Sequence, residues 1–303
     1  MTVDELEKVS RIFMEEGAHA GKRGTDMTAV KCRIFIALNN MIVVQGPNPE
    51  KPVEDQYIVV RAADDERNFI LYLWQIHYWM EEEMKWLDSS PTLTRFPYPE
   101  LRMRRFLLPV RYRGPQALMQ NFSWRQYRYA CDYMSYYVME QNRLVGMTMK
   151  GDASTRDMKK QQRAVARAKA MFLATIFNRR VRYVDTETKC LMRGYTYVSW
   201  QSMKNLQDFI GFPDYKFQVV LFWWVGMMGY LQKKYPKVFR KSDVRKQAAV
   251  NPLDVYTRTT ATMEKHIGIN EEELNRELYT NVLQHLQDMI DESDRMKEIE
   301  RKK

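Results

Sequence analysis

The chain opens on apolar and polar positions that alternate at helical spacing. In "TVDELEKVSRIFMEEG", Val3, Leu6, Val9, Ile12 and Phe13 recur with the period of a helix. Thr2 and Glu5 stand at capping-box spacing before them, and Gly17 offers a stop. "GAHAGKRGTD" follows as a loop. "AVKCRIFIALNNMIVV" (29–44) is apolar through most of its length. Its β-branched residues allow a strand, while its context favours a helix. Three prolines and a glycine make "QGPNPEKPVEDQ" (45–56) a surface loop or arm, and "YIVVRA" is a short candidate strand. "DDERNFILYLWQIHYWMEEEMKWLD" (64–88) reads as one long helix, with Phe69, Leu73, Ile76 and Met80 on one side and acids crowded at both ends.

Pro91, Pro97 and Pro99 then interrupt the pattern and place a soft boundary near 89–99. "PELRMRRFLLPVRYRGPQALMQNF" mixes short helix and turn. "SWRQYRYACDYMSYYVMEQNRLVG" (123–146) is a helix capped by Ser123 and expected to end near Gly146. "MKGDAST" turns the chain, and Ser154 or Thr155 caps a further helix that contains "RDMKKQQRAVARAKAMF" (156–172). "GFPDYK" separates two more helices. The second carries the most apolar run, "VVLFWWVGMMGYL" (219–231), and Pro236 ends it. That run has 13 residues. A membrane span needs about 20, so a buried helix and no membrane span are expected. Asn270 and Glu273, again at capping-box spacing, start a long terminal helix whose last residues should fray. No internal repeat is visible.

Composition agrees with a helical chain. Among 303 residues there are only 12 Gly and 11 Pro, against 21 Met. The fold class expected is mainly α: two helical lobes with a basic groove between them and extended terminal arms. Cys32, Cys131 and Cys190 are odd in number and far apart. They suit three buried thiols in a reducing compartment, cytoplasmic or inside a virion, better than a disulfide framework or a metal site. The acidic, amphipathic N-terminus lacks the basic and apolar regions of a secretion signal.

Charge changes the picture more. Residues 1–94 carry a net −6, residues 95–250 a net +20 and residues 251–303 a net −4. The corresponding organisation is an acidic N-terminal arm and helical lobe (1–94), a basic core lobe (95–250) and a C-terminal helical arm (251–303). Such asymmetry points to a polyanionic partner. It also lets the acidic ends of one copy meet the basic middle of another, so a homo-oligomer joined through its terminal arms, 1–16 and 270–303, is expected.

Three stretches concentrate the cations. On the helix of 156–172, Arg156, Lys159, Lys160, Arg163 and Arg167 share an arc of about 100° at 3.6 residues per turn, opposite Met158, Val165, Phe172 and Ile176. A solvated helix face usually interleaves signs, since like charges repel; here Asp157 is the one acid among them. Residues 95–130 hold eight arginines, no lysine and one acid, Glu100. The candidates there are Arg102, Arg104, Arg105, Arg111, Arg113, Arg125 and Arg128. Arginine suits phosphate because its planar fork donates two parallel hydrogen bonds. Tyr98, Phe106, Tyr112, Phe122, Trp124, Tyr127 and Tyr129 lie among them. Most of these rings should be core, with a minority free to stack on unpaired bases. "FNRRVRY" extends the helix's charge through Arg179, Arg180 and Arg182, and "KKYPKVFRKSDVRK" (233–246) adds seven cations against one acid.

No catalytic constellation accompanies them, and neither a cofactor nor an enzymatic activity is expected. There is no Gly-rich phosphate loop, and His19, His77, His266 and His285 form no metal-binding pattern. His77, within an apolar helix, should be a satisfied core residue. Asp64, Asp65 and Glu66, or Asp214 in "FPDYKF", could bind a divalent cation. For the first cluster a charged helix start is the simpler explanation.

"SWRQYRYACDYMSYYVMEQN" (123–142) resembles a segment of the coat proteins of flexible filamentous plant viruses. There a Ser/Thr–apolar–Arg–Gln opening leads into a helix with aromatic and small residues. The resemblance covers about 20 residues and implies a place for Arg125 in an RNA groove or its supporting ion pair. The family's later Phe-Asp-Phe element has no counterpart, since no aspartate occurs between Asp157 and Asp185. More loosely, a Met- and Arg-rich basic helical chain is similar to nucleoproteins of segmented RNA viruses. The expected function is packaging of single-stranded RNA, or DNA, without sequence preference. The alternatives are a non-assembling accessory protein of a large RNA–protein assembly and a metal-dependent nuclease without familiar motifs.

Overall fold

The computed structural model describes residues 1–19, 27–87, 92–105, 108–151, 153–184, 191–239, 260–265 and 268–302. They divide into two units. The first joins residues Met1–Leu93 to Pro213–Gly226, and the second joins Thr94–Phe212 to Met227–Lys303.

In the first unit, α1 (Val3–His19) packs on α2 (Met27–Leu38). Thr2 and Glu5 close the expected capping box, Thr2 N donating to Glu5 Oε2 at 2.6 Å and Glu5 N to Thr2 Oγ1 at 3.3 Å. Gly17 does not stop the helix. The ambiguous stretch 29–44 contains both of its alternatives: helix to Leu38, a turn in which Asn40 takes φ of 53°, then strand β1 (Met41–Gln45). β2 (Tyr57–Ala62) pairs antiparallel with β1 on one edge and with β3 (Asn68–Tyr72) on the other.

The long helix expected over 64–88 is therefore corrected. Residues 68–72 are strand, and α3 (Leu73–Glu83) begins only after Tyr72. Phe69 and Ile70 alternate between the two sides of the sheet as strand neighbours do, pairing with Val60 and Val59 on the edge of β2. The change of element resets the phase. Ile76 and Met80 face the core, while His77, expected inside, is exposed. Val9, Ile12, Val30, Ile34, Phe35, Ile58, Val60, Ile76, Met80 and Met84 form one buried cluster. Because α1 supplies Val9 and Ile12 to it, the N-terminal helix is part of this core and not a detached arm.

The start of α7 (Asp214–Lys234) completes the unit. Phe222 meets Phe13 edge-on at 6.4 Å, Arg11 lies 4.1 Å over the Tyr215 ring, and Lys216 pairs with Glu7 at 3.5 Å. A Cβ at Gly226 would stand 2.4 Å from the Leu93 carbonyl, so glycine is what lets helix and chain approach so closely. Val219, Val220, Trp223, Trp224, Met227 and Leu231 are buried, as expected for an apolar core helix. Among the described residues no helix is long and apolar enough to cross a membrane.

The protein is mostly helical, as expected, but the second unit, like the first, carries a small antiparallel sheet, so the class is α+β rather than mainly α. β4 (Glu100–Arg105), β5 (Leu108–Arg113), β6 (Asn178–Val184) and β7 (Leu191–Tyr195) form an antiparallel sheet in that order. α4 (Trp124–Lys150) and α5 (Thr155–Ile176) pack as a hairpin. Ser123 caps α4 by accepting from Gln126 N, and Ser154 caps α5 by accepting from Asp157 N. α4 runs past Gly146 to Gly151, whose left-handed φ of 68° ends it. α6 (Ser199–Phe209) packs on α5, and its last residue, Phe209, meets Tyr112 of β5 and Phe177 with ring centroids 5.0 and 5.6 Å away.

The C-terminal segment is also docked on its own chain. A short helix, Glu271–Arg276, starts with the expected Asn270–Glu273 box, then breaks before the terminal helix Tyr279–Lys302. Trp124 N donates to Glu277 O at 2.7 Å, and Tyr279 stacks on Tyr127 at 5.0 Å. Tyr279, Val282 and Leu283 are buried. Lys237 forms ion pairs with Asp291 and Asp294 farther along. Exposed apolar side chains remain at Met296 and Ile299, in the last turns.

Candidate nucleic-acid interface

All fifteen candidate cations belong to the second unit. Five stand on α5, as periodicity predicts: Arg156, Lys159, Lys160, Arg163 and Arg167 are exposed. The rotation of the helix is fixed from the opposite side. Gln161 is buried and donates to both the backbone and the carboxylate of Glu140 on α4, at 2.9 and 2.7 Å. Buried Lys169 donates to the Phe212 carbonyl at 2.7 Å, so it is a core residue and not part of the row. The nearby acid, Asp157, is turned back into the cap, accepting from Ser154 Oγ at 2.6 Å. Among the described residues none of the five forms an ion pair. From Arg156 to Arg167 the row extends about 16 Å at 1.5 Å per residue.

Eight further candidates lie on strands: five on β4 and β5, where a mix of short helix and turn had been expected, and three on β6. Cross-strand register decides which of them share a face. Arg102 stands opposite Arg111, and Glu100 opposite Arg113. Arg113 stands opposite Asn178, and two residues on along β6 come Arg180 and then Arg182, opposite Tyr195 and Arg193. Arg102, Arg111, Arg113, Arg180, Arg182 and Arg193 therefore line one side of the sheet. The other side turns Tyr112 inward, its hydroxyl 2.5 Å from Asp208 Oδ2. Arg179, opposite Tyr112, falls on that inner side and is only half exposed. For Arg104 and Arg105 the strand position alone is described.

The arginine side is open to solvent. Glu100 Oε1 pairs with Arg111 Nε at 3.0 Å and with Arg102 Nε at 3.7 Å. Arg113 packs 4.6 Å over the Tyr195 ring. Among the described residues no ion pair forms to Arg113, Arg180, Arg182 or Arg193. An open depression of about 440 Å³ is lined by Arg111, Arg113, Arg180, Arg193, Gly194 and Tyr195. Arg193 and Tyr195 were missed by sequence reasoning. Their signal is "LMRGY", in which a cation and a ring alternate two residues apart after a strand-like "NRRVRYV".

Arg125 and Arg128 are placed elsewhere. Both are half buried on α4. Arg128 reaches Asn275 Oδ1 at 3.4 Å, at the junction with the C-terminal segment. Arg125 lies near Tyr197, whose hydroxyl pKa is raised by burial and by Tyr133 and Tyr129, with the Arg125 charge opposing. Of the rings considered for base stacking, Tyr98, Tyr112, Phe122, Trp124 and Tyr127 are buried. Phe106 lies outside the described residues, and Tyr129 is half buried against Tyr133 at 6.1 Å.

The acidic candidates do not assemble. Asp65 sits in the turn between β2 and β3, and no helix starts there; it is held by Arg67, which keeps its carboxyl below the usual range. Asp214 opens α7. Among the described residues no group of three or more His, Cys, Asp or Glu is arranged to hold a metal. Cys131 is half buried; desolvation pushes its thiol up to about 12, against a hydrogen bond from Tyr127 that lowers it. Cys32, also half buried, is raised by desolvation. Cys190, His266 and residues 240–246 of the last basic stretch lie outside the described residues. Comparison with protein-family models, curated proteins and solved structures finds no match to this chain.

Proposed function

We propose that this protein binds and packages single-stranded nucleic acid, RNA in the first place, through its second unit and without reading sequence. The observation that carries the reading is the sheet side bearing Arg102, Arg111, Arg113, Arg180, Arg182 and Arg193, supported by the α5 row. Neighbouring like charges repel, and directly opposed ones in a sheet are destabilising. Two such surfaces with few carboxylates among them are best explained by an external anion. Arginine forks fit phosphate oxygens without distinguishing bases. Released counterions would supply most of the affinity, so binding should weaken steeply with salt. Self-association completes the reading, and the exposed Met296 and Ile299 on the terminal helix are where copies would meet.

Charge reversal of Arg163 and Arg167 together tests it. With the fold retained by circular dichroism, affinity for a labelled homopolymeric RNA should fall more than about tenfold. The salt slope of log K should drop by about 0.7 for each phosphate that is no longer neutralised. Unchanged affinity at low salt would remove the α5 row from the site. Mass measurement with and without RNA tests packaging: a monomer in both leaves an accessory RNA-binding protein in its place.

A further inference from the structure

We infer that the depression on the arginine sheet is a site for a compact polyphosphate, a triphosphate group, distinct in kind from the linear cation row of α5. Three strands converge on it. Arg111 and Arg113 come from β5, Arg180 from β6, and Arg193 and Tyr195 from β7, around about 440 Å³ of open space. Neighbouring strands are about 4.8 Å apart, so the guanidinium groups are gathered in two dimensions. A strand backbone presents one charge per nucleotide along a line, which is the pattern of α5. A triphosphate concentrates several charges and many acceptor oxygens in one place, which is the pattern of the depression.

Neutralisation separates the two ends of the sheet. Glu100 serves Arg111 and Arg102, at 3.0 and 3.7 Å. Arg182 and Arg193 are directly opposed like charges, and among the described residues they, Arg113 and Arg180 have no carboxylate partner. The uncompensated charge therefore lies on Arg113 at the end of β5 and across β6 and β7. One donor is already positioned there, since Arg113 rests on the Tyr195 ring at 4.6 Å. Packing of that kind restricts the guanidinium before any ligand arrives and leaves its edge donors free for a bidentate contact. Gly194 lies between Arg193 and Tyr195, and a Cβ there would press on Tyr183 at 3.3 Å on the inner side.

Two sources could supply the group: the 5′ end of a nascent RNA strand or a free nucleoside triphosphate. Assigning it to the RNA end rests on the reading of the previous section; affinity for the group itself does not. Titration calorimetry on the full chain, without divalent cations, would compare inorganic tripolyphosphate with orthophosphate. Tripolyphosphate should bind one per chain and about tenfold tighter or more. Arg180→Ala with Arg193→Ala should remove that preference, while Arg163→Ala with Arg167→Ala should keep it. Arg180→Lys with Arg193→Lys, which preserves charge and solubility, should lose most of the preference because the forks are gone.

Matched RNA oligonucleotides ending in a 5′-triphosphate or a 5′-hydroxyl then identify the source. The triphosphorylated one should bind several-fold tighter, and the Arg180/Arg193 variants should abolish the difference. If a nucleoside triphosphate binds and the two RNAs are equal, the site stands and its assignment to the RNA end is overturned. If tripolyphosphate binds and neither RNA does, the packaging reading fails and the site survives. Equal, weak binding of tripolyphosphate to the wild type and to the Arg180/Arg193 variants overturns the inference.

Discussion

The two sheets share a plan and differ in what they turn outward. Each is small and antiparallel, with one side on an apolar core. On the other side of β1–β3, Ile42, Tyr57, Val59, Ile70 and Tyr72 share a face with Arg61 and Asn68, and Ile42, Ile70 and Tyr72 are exposed, with Trp74 stacked near Tyr72. On the other side of β4–β7 the corresponding positions are arginines. Folding constrains only the inner side, where burial stabilises. The outer side is free to carry chemistry, and here one unit exposes mainly apolar side chains around Arg61 while the other exposes a group of arginines. The second choice raises the energy of the isolated chain, because opposed cations repel, and it is therefore the more informative about a partner.

The largest effect should come from showing that the inner sides are equivalent. Phe209→Ala beneath the arginine sheet and Ile58→Ala beneath the apolar one should each cost roughly 2–5 kcal/mol. Urea unfolding measures the loss, and hydrogen exchange should show reduced protection confined to the sheet of the affected unit. The outer sides should then diverge. Arg113→Ala with Arg180→Ala should weaken RNA binding by about tenfold or more with little change in stability. Ile42→Ser with Ile70→Ser should leave RNA binding unchanged; equal losses from both pairs would dissolve the distinction.

A third effect concerns pH. The Cys131 thiol holds its proton up to about 12 in the folded chain. An unfolded cysteine releases it near 8.5. The stabilising difference is therefore complete below that value and is lost as pH rises towards the folded pKa. The slope is about 1.4 kcal/mol per pH unit for one proton. Between pH 8.5 and 9.5 stability should fall by about 1 kcal/mol, and Cys131→Ala should flatten the fall. Smallest of all, Ser154→Ala removes the cap of α5 and should cost about 1 kcal/mol or less, seen as a small shift in unfolding midpoint.

The α5 row was legible because two independent signals agree there. The cations fall on one arc of a 3.6-residue period, and Ser154, one of the two caps offered by the sequence, marks where the helix begins. The sheets were harder to read. Arg102 and Arg104, Arg111 and Arg113, Arg180 and Arg182 are all spaced by two, which is a strand's period. That signal competed with the helix propensity of Arg, Leu and Met in "PELRMRRFLLPV", and residues 106–107 lack the Gly, Asn or Pro that would announce a hairpin. For 68–72 the error was one of phase: Phe69 happens to lie four residues before Leu73, so strand and helix together imitate a longer helix. Which arginines share a face, and that Arg193 and Tyr195 join them, depends on pairing between distant segments, which no local pattern encodes.

The first unit is interrupted in sequence. Leu93 ends its opening segment, and the stretch that carries the buried side chains Phe217, Val219, Val220, Trp223 and Trp224 arrives only with Pro213–Gly226. During synthesis at roughly 5–20 residues per second, that delay is on the order of ten seconds. The helices and strands of residues 94–212 leave the ribosome in the interval, so the part of the protein made first cannot be the part finished first. The cluster built from Val9 to Met84 is complete before then, but the outward side of α1 is not: Phe13, Arg11 and Glu7 gain Phe222, Tyr215 and Lys216 only with the late segment, so a fragment cut at residue 93 should be less stable than the unit it comes from.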